Sequence, residues 1–448
     1  MTSEKDKPER GESLSEKNSR RYLIFVAVVI YLGWGLINTD GNLILVLSPQ
    51  INSALGLSLT QYGYIVSAGF FASFILSLFL GPLADRKGRR FVLQFTMLGT
   101  AIFSVFQYFI NSFASWFGIR IGAGAFTGGE WGAGATVLTE TISKRMRGLV
   151  LSIMQSGWVF GYGLASLIAL FALTFYGQAE GWRVAFLFAF LPALMVIVFR
   201  VYLKNPERFE HMSKVIEAKK KNKKEELSNL LTQYNIDTEK VDKPTYKQLF
   251  SKDLLRITIV VAFWNFMTTG IAITSNAFQP AYFEYVRHFP PSEIITMFTI
   301  VSFAGIIGYI ANGLLNDRIG AKYSIVIFAV FEAFGIYALT FFTSSFASLA
   351  AFYVLFFFTE NGQFSALIRM NTESFPTRAR ATGAIWGGAF WSLGQAVWPL
   401  MFGQMLATIT FNQAWLWLEV VPELIAVVVL IVIMKNVPPK KELEEISI

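Results

Sequence analysis

The sequence has no cysteine, and it has only two histidines, His211 and His288. Without cysteine the chain can form neither disulfide bonds nor thiolate metal sites. Two histidines give little support to a histidine metal centre or to a serine–histidine catalytic pair. The phosphate-binding pattern G-x-x-x-x-G-K-[ST] is also absent, which argues against an ATP-driven pump. We therefore expect no metal, no cofactor and no enzyme activity.

Charge is scarce as well. Only 15% of the residues are charged, against roughly 25% in soluble domains, while 54% are hydrophobic and 44 are phenylalanine. Such a chain cannot cover its apolar surface with polar groups, so a membrane protein is predicted. A membrane span needs about 20 apolar residues. Twelve such segments are predicted, at residues 22–46, 60–80, 91–110, 116–139, 149–174, 183–203, 255–282, 293–315, 323–343, 346–370, 383–407 and 413–434.

Lysine and arginine are concentrated in alternate connecting segments. If both termini lie inside the cell, 33 of the 38 basic residues fall in the tails and loops on that side, as the positive-inside rule requires. This predicts a multi-pass protein of the cytoplasmic membrane with cytoplasmic N- and C-termini. The basic inner side suits anionic lipid, and nothing supports binding to nucleic acid.

The spans divide the chain into five parts. We predict a tail (1–21), a six-helix bundle (22–203), a linker (204–254), a second six-helix bundle (255–435) and a second tail (436–448). The linker is rich in lysine, and we interpret it as a solvated cytoplasmic connection. A regulatory docking segment is the alternative.

The two bundles repeat each other in sequence. "GPLADRKGRR" at 81–90 matches "GLLNDRIGAK" at 313–322 with an offset of 232, and "ETISKRMRG" at 140–148 matches "ESFPTRARATG" at 373–383 with an offset of 233. Offsets that agree to within one residue at two places indicate that a six-span unit was duplicated. Duplicated halves commonly hold their substrate between them near the membrane midplane.

These repeated loops resemble the major facilitator superfamily, whose motif is G-x-x-x-D-[RK]-x-G-[RK]-[RK]; the second copy departs from it at Ala321. The resemblance implies an all-α membrane protein of two pseudo-symmetric six-helix bundles. It also implies that the charged loops bind one half to the other and act in gating, although they could instead only set the topology. The predicted gating residues are Gly81, Asp85, Arg86, Gly88, Arg89, Arg90, Glu140, Arg145, Asp317, Arg318, Glu373 and Arg378.

Further motifs indicate a branch of the superfamily. "RIGAGAFTGGEWGAG", "NPERF" and "ESFPTRARATG" are most similar to metabolite, lactate/sialate and aromatic-acid proton symporters. The Gln-Gln pair typical of span seven in sugar porters is absent, and so is the Gly-Pro signature of span five in drug antiporters. The resemblance therefore implies proton-coupled uptake of a small organic acid anion by a monomer. A sugar or polyol symporter and a transport-inactive membrane sensor are the alternatives.

Ionisable residues inside the spans are the candidates for coupling, because burying them in lipid is costly. Asp40, Glu130 and Glu360 are predicted to exchange protons, since a buried carboxylic acid can bind a proton on one side and release it on the other. In the resembling symporters, acids of spans one and four do this work. Arg120 lies ten residues before Glu130, nearly three helical turns away on roughly the same side, and could pair with Asp40 or bind the substrate. Related anion porters often place arginine after the span-one acid, where this chain has Gly41.

Polar and aromatic side chains on the cavity-lining spans suit a small organic acid. The predicted substrate-binding residues are Arg120, Gln155, Tyr162, Asn265, Asn276, Gln279, Asn361, Gln363, Trp386, Trp391 and Gln395. A structural role is the alternative for each of them. Three further glutamates in the second half, Glu332, Glu419 and Glu423, are interpreted as structural.

Overall fold

Each of the twelve predicted spans is helical over most of its described residues. A computed structural model describes residues 14–87, 89–141, 147–200, 249–375, 380–434 and 436. Most of these residues lie in helices, and no β-strand occurs among them. The predicted all-α fold class is confirmed.

The first half contains α1 (Leu14–Val46), α2 (Ser48–Leu55), α3 (Leu59–Lys87), α4 (Arg89–Gln107), α5 (Phe113–Thr141) and α6 (Arg147–Arg200). The last of these is broken at Gly177, whose φ of 75° and ψ of 171° lie outside the helical region. This single element therefore supplies the fifth and sixth spans. The short α2 begins with proline in its first turn and ends at Gly56, which has a left-handed φ of 62°.

The second half contains α7 (Leu255–Ala281), α8 (Pro291–Ile319), α9 (Ala321–Phe341), α10 (Phe346–Glu373), α11 (Arg380–Met405), α12 (Phe411–Trp415) and α13 (Val421–Ile433). Two π-helical turns interrupt the regular pattern, at Tyr282–Val286 after α7 and at Leu416–Val420 between α12 and α13. Such turns are rare and often occur at functional sites, because the extra residue redirects the side chains around it.

The surface of the helices is suited to lipid. Seven described stretches are long and apolar enough to cross a membrane, and one of them, Val150–Phe190, contains the bend at Gly177. Large apolar side chains point outward along the helices; Phe79, Phe175 and Val432 are each about two-thirds exposed (66%, 71% and 69%). A water-exposed surface of this kind would be unfavourable, so the protein spans a membrane.

Equivalent helices pack in the two halves. In the first half α1 packs on α6 and α3 on α5; in the second, α7 packs on α11 and α8 on α10. Between the halves, α3 packs on α11 and α6 on α8. The repeat also keeps its register: Glu130 follows Phe113, and Gln363 follows Phe346, by 17 residues in the helices that begin there.

The halves meet at the end of the bundle where α1 and α7 end, which we call the distal face. Gln50 Nε2 donates a 3.0 Å hydrogen bond to Glu284 Oε2, and the Tyr285 hydroxyl donates at 3.1 Å to the carbonyl of Pro49. Nearby, Thr60 Oγ1 donates at 2.8 Å to the carbonyl of Gly403. The distal face is thus closed by side chains from both halves.

Contact between the halves also occurs toward the opposite end. Ser152 Oγ of α6 lies 2.8 Å from Ser365 Oγ of α10. Ile368 of α10 packs in a buried cluster with apolar residues of the first half, among them Val29 and Leu151. Most of the predicted linker, residues 204–248, and both tails up to residue 13 and beyond residue 436 lie outside the described residues.

Candidate functional site

Asp40 is the buried carboxylate of the first half. It lies on α1, six residues before the end of that helix, and 4% of its surface is exposed. Nε2 of Gln107, the last residue of α4, donates a 2.7 Å hydrogen bond to its Oδ1. Ser104, three residues earlier, also faces the carboxylate. A small cavity between α1 and α4 is lined in part by Asp40, Thr100 and Ser104.

Arg120 is the basic group that acts on Asp40. It lies on α5, is 7% exposed, and interacts electrostatically with both Asp40 and Tyr62. Within the described residues no direct ion pair joins Arg120 to Asp40, and its Nε has no hydrogen-bond partner there. Because arginine stays charged in proteins, the two groups can balance one another while Arg120 retains donors for another acceptor.

Two glycines determine where the Arg120 side chain lies. A Cβ added at Gly69 of α3 would come within 2.9 Å of Arg120 Nη2 and 3.3 Å of its carbonyl oxygen. One helical turn further along α5, Gly124 packs directly on the backbone of Gly69. Small residues at a helix crossing allow this close approach, and the guanidinium is held against α3 as a result.

Five aromatic side chains form a contact between the halves. Tyr162 of α6 lies 5.2 Å from the Phe357 ring and 5.8 Å from the Phe298 ring, measured between centroids. Trp158 stacks on Tyr162 at 5.7 Å, and Tyr353 lies 5.8 Å from Phe357. We call this set the central aromatic cluster. In this conformation four of the five rings are fully buried and only Trp158 is partly exposed, so the rings pack the two halves together.

Glu360 adjoins the central aromatic cluster. It lies on α10 one turn beyond Phe357 and is 1% exposed. Asn276 Nδ2 of α7 donates a 2.5 Å hydrogen bond to its Oε1, and Asn361 Nδ2 donates at 3.1 Å to its Oε2. Its charge acts on Tyr162 of the first half and on Tyr309 of α8. A carboxylate therefore lies beside α7 at the interface between the two halves.

The predicted substrate-binding residues lie in several different places. Gln155 is buried and faces Tyr309 across the interface between α6 and α8. Gln363 donates a hydrogen bond to Glu332 inside the second half. Gln279 is buried and Gln395 is half-buried.

Other predicted binding residues make contacts within the second half. Asn265 and Asn371 exchange amide hydrogen bonds of 2.8 and 3.0 Å, and so hold α7 to α10. Trp386 Nε1 donates at 3.1 Å to the carbonyl of Thr258, also on α7, and the Trp391 ring lies 5.1 Å from that of Phe364. These contacts stabilise the packing of α7, α10 and α11.

The predicted gating residues are described only in part. Asp317 at the end of α8 forms a 3.2 Å ion pair with Arg369 of α10, and Arg318 is exposed. Gly88, Arg145 and Arg378 lie outside the described residues. Several more predicted residues lie in helices, but their side chains are outside the described set: Gly81, Asp85, Arg86, Arg89, Arg90, Glu130, Glu140 and Glu373.

Three features of the site were not expected from the sequence. Gln107 binds Asp40, Gly69 positions Arg120, and Tyr62 faces Arg120 while its hydroxyl donates at 3.3 Å to the carbonyl of Ile44. Each is an ordinary residue of a membrane helix, and its importance follows from a neighbour far away in sequence. Only Gln107 had a signal in the sequence, because it is a polar residue at the end of an apolar span.

Comparison with known families decides the class of the protein. The chain matches the Major Facilitator Superfamily at residues 23–290 and again at residues 257–447. The chain belongs to the Major Facilitator Superfamily. It is a secondary transporter of that superfamily and not an enzyme, as the sequence predicted.

Curated relatives in this superfamily are similar over most of their length. The chain is 25% identical over 357 residues to a probable 4-methylmuconolactone transporter of Cupriavidus pinatubonensis, covering 79% of this chain and 76% of the relative. It is 26% identical over 445 residues to the niacin transporter NiaP of Acinetobacter baylyi, covering 94% and 95%. The predicted branch of metabolite and organic-acid transporters is confirmed.

A solved structure has the same fold. The inward-open xylose transporter XylE of E. coli superposes with a TM-score of 0.74, covering 95% of this chain and 99% of that one. Its sequence identity is 16%, so the likeness concerns the fold alone.

Proposed function

We propose that this transporter carries a small organic acid anion into the cell together with protons, as a monomer in the cell membrane with both termini in the cytoplasm. The observation that carries the proposal is the buried pair of Asp40 and Arg120. A carboxylate and a guanidinium inside a membrane protein are costly unless they pair or take part in transport. Here they interact without a direct ion pair among the described residues, which leaves Arg120 able to change partner.

Coupling follows from that change of partner. When Asp40 is ionised, it balances the charge of Arg120. When Asp40 binds a proton, Arg120 loses its counter-charge and attracts the carboxylate of the substrate. Proton and anion binding therefore favour one another, and the two are released together when the opposite side opens.

The substrate class is supported by the central aromatic cluster and by the relatives. Niacin, the substrate named for one relative, is an aromatic ring that carries one carboxylate. When the halves separate, the flat faces of Trp158, Tyr162 and Phe357 suit a ring of this size, while the amides around Glu360 can form directional hydrogen bonds with polar groups of a substrate. We therefore propose an aromatic or similarly unsaturated monocarboxylate.

Uptake into liposomes that contain the purified full-length protein tests this proposal. With nicotinate and benzoate as probes, we expect accumulation when the outside is more acidic than the inside, and none when neither a pH gradient nor a voltage is imposed. Asp40→Asn should abolish accumulation but leave exchange of labelled for unlabelled anion largely intact. Glu293→Gln, at an exposed position in the first turn of α8, is the matched control and should behave as wild type.

Three outcomes would contradict the proposal. Accumulation by Asp40→Asn equal to that of wild type would exclude Asp40 as the coupling residue. Accumulation of xylose or glucose in place of the acids would favour a sugar symporter. Failure to move any of these solutes would favour a sensor without transport activity.

A further inference from the structure

The interior of the second half contains three carboxylates beyond Glu360. Glu332 lies on α9, Glu419 lies in the π-helical turn before α13, and Glu423 lies on α13; all three are fully buried (0% exposed). Gln363 donates a hydrogen bond to Glu332, and Ser275 donates one to Glu419. We call Glu332, Glu419 and Glu423 the C-half acid cluster.

This region has more hydrogen-bond acceptors than donors. Within the described residues, one oxygen each of Glu332, Glu419 and Gln363 and both carboxylate oxygens of Glu423 are buried without a hydrogen bond of good geometry. The amide of Gln363 is the neutral donor that faces Glu423. Ionised carboxylates only accept hydrogen bonds. The unpartnered oxygen of Gln363 is an independent sign of the same shortage, because it belongs to a neutral amide that is 1% exposed.

The charges around the cluster have the same sign. Glu332 is acted on by Glu423, Glu360 and Glu419, and Glu419 by Glu360 and Glu423. On α7, the residue that binds the cluster is the uncharged Ser275.

The basic groups on the helices packed around the cluster are bound elsewhere, and Arg369 of α10 pairs with Asp317. Arg256 of α7 and Lys322 of α9 donate to the carbonyls of Val432 and Ile431 near the end of α13. These positions are two helical turns or more beyond Glu423. Uncompensated buried carboxylates are unfavourable and tend to become neutral.

We propose that the C-half acid cluster binds protons, and that at least one of them is transported with the substrate in addition to the proton at Asp40. A proton on a carboxyl group turns one hydrogen-bond acceptor into a donor. It therefore supplies missing hydrogen bonds, and at the same time it removes repulsion between the negative charges. This inference rests on the proposed proton-coupled function and adds a second coupling site to it.

Helix α7 links the cluster to the substrate region. Ser275 and Asn276 are consecutive residues of α7; the first donates to Glu419 and the second to Glu360. Glu360 in turn adjoins the central aromatic cluster. A movement of α7 therefore changes both hydrogen bonds at once, which connects substrate binding with proton binding inside the second half.

A second proton changes the electrical behaviour of transport. One proton carried with a monoanion moves no net charge, so voltage does not drive it. Two protons carried with a monoanion move one positive charge, and an inside-negative potential of 100 mV then raises accumulation about fiftyfold. The number of protons is therefore read directly from the response to voltage.

We would measure nicotinate and benzoate accumulation in liposomes of the full-length protein, with voltage and pH gradients imposed separately. Wild type should respond to both. Glu423→Gln, Glu419→Gln and Glu332→Gln preserve shape and most hydrogen bonding, and at least one should lose the fiftyfold voltage response while retaining pH-driven uptake. Glu293→Gln is again the matched control and should keep both responses. Exchange of labelled substrate identifies variants that remain folded.

Each result decides between the two proposals. Uptake driven by pH but not by voltage in wild type would overturn the second site and leave the proposed function intact. Absence of any pH-driven uptake in wild type would overturn the proposed function and, with it, this inference. A voltage response retained by all folded glutamine variants, or uptake that needs sodium instead of an acidic exterior, would overturn the cluster as a proton site.

Discussion

In the proposed mechanism, single residues carry the coupling chemistry, because a few ionisable groups are held deep inside a mostly apolar protein. Arg120 and Asp40 lie on different helices, and the Arg120 guanidinium is positioned by a glycine of a third helix, at Gly69. A small displacement of the guanidinium changes its distance to Asp40 without removing any charge. The geometry at Gly69 can therefore be tested separately from the charges.

We expect Gly69→Ala to impair proton-driven accumulation at least tenfold. The added methyl group would lie 2.9 Å from Arg120 Nη2 and 3.3 Å from a backbone oxygen, closer than ordinary van der Waals contact, so the guanidinium or α5 must move. Overpacking of this kind typically costs about 1–3 kcal/mol. Accumulation and exchange in liposomes provide the measurement.

Gly118→Ala is the control, because it lies on the same helix as Arg120 and a Cβ there would meet nothing within 4 Å. It should transport as wild type does. If Gly69→Ala accumulates substrate normally, the position of the guanidinium is less critical than we propose.

Some of these residues could be identified from the sequence and others could not. Asp40, Arg120 and Glu360 could be identified because an ionisable residue inside an apolar run is conspicuous. Gln107 and Gly69 could not, since their roles depend on which helices cross and at what depth. The C-half acid cluster was interpreted as three separate structural glutamates, because nothing in the sequence indicates that α9, α13 and the π-helical turn bring them together. The roles predicted for Asp40, Arg120, Glu130 and Glu360 stay predictions.

At the scale of helices, the spans could be predicted because each needs about 20 apolar residues. The positions where helices bend or change type were harder to predict. The fifth and sixth spans were predicted with a gap at 175–182, whereas α6 continues through that segment and bends at Gly177. The two π-helical turns were not predicted, because an extra residue in one turn leaves the apolar pattern nearly unchanged.

We expect Gly177→Ala to destabilise the protein by about 1–3 kcal/mol, because a φ of 75° with a ψ of 171° lies in a region that is essentially restricted to glycine. A Cβ here would meet no atom within 4 Å, so the loss would come from backbone strain alone. The melting temperature of the detergent-purified protein should fall by a few degrees.

Gly177→Asn is the matched comparison, since the tolerance of asparagine for positive φ is confined to the left-handed helical region and does not extend to a ψ of 171°. It should melt close to Gly177→Ala and below wild type. Equal melting temperatures for all three proteins would mean that the bend relaxes to an ordinary conformation.

At the scale of the whole molecule, the proposed uptake requires the distal face to open. Gln50 and Tyr285 join the halves there through hydrogen bonds to Glu284 and Pro49, and Thr60 joins them at Gly403. If substrate enters from this side, as the predicted orientation requires, these bonds must break in every cycle. The absence of native cysteine makes the requirement testable with introduced thiols.

We expect a short, reducible thiol cross-link between Gln50→Cys and Glu284→Cys to stop uptake, and reduction of the link to restore it. The side-chain atoms of these residues are 3.0 Å apart across the two halves, so the link would hold the distal face closed.

The control pair is Arg287→Cys with Thr343→Cys. Arg287 Nη2 donates at 2.7 Å to the Thr343 carbonyl within the second half, and linking these two positions should leave uptake unchanged. Each single-cysteine variant, treated with the same reagent, separates the effect of the link from that of the substitution. Uptake that continued in fully cross-linked Gln50–Glu284 protein would mean that the halves do not separate at this face.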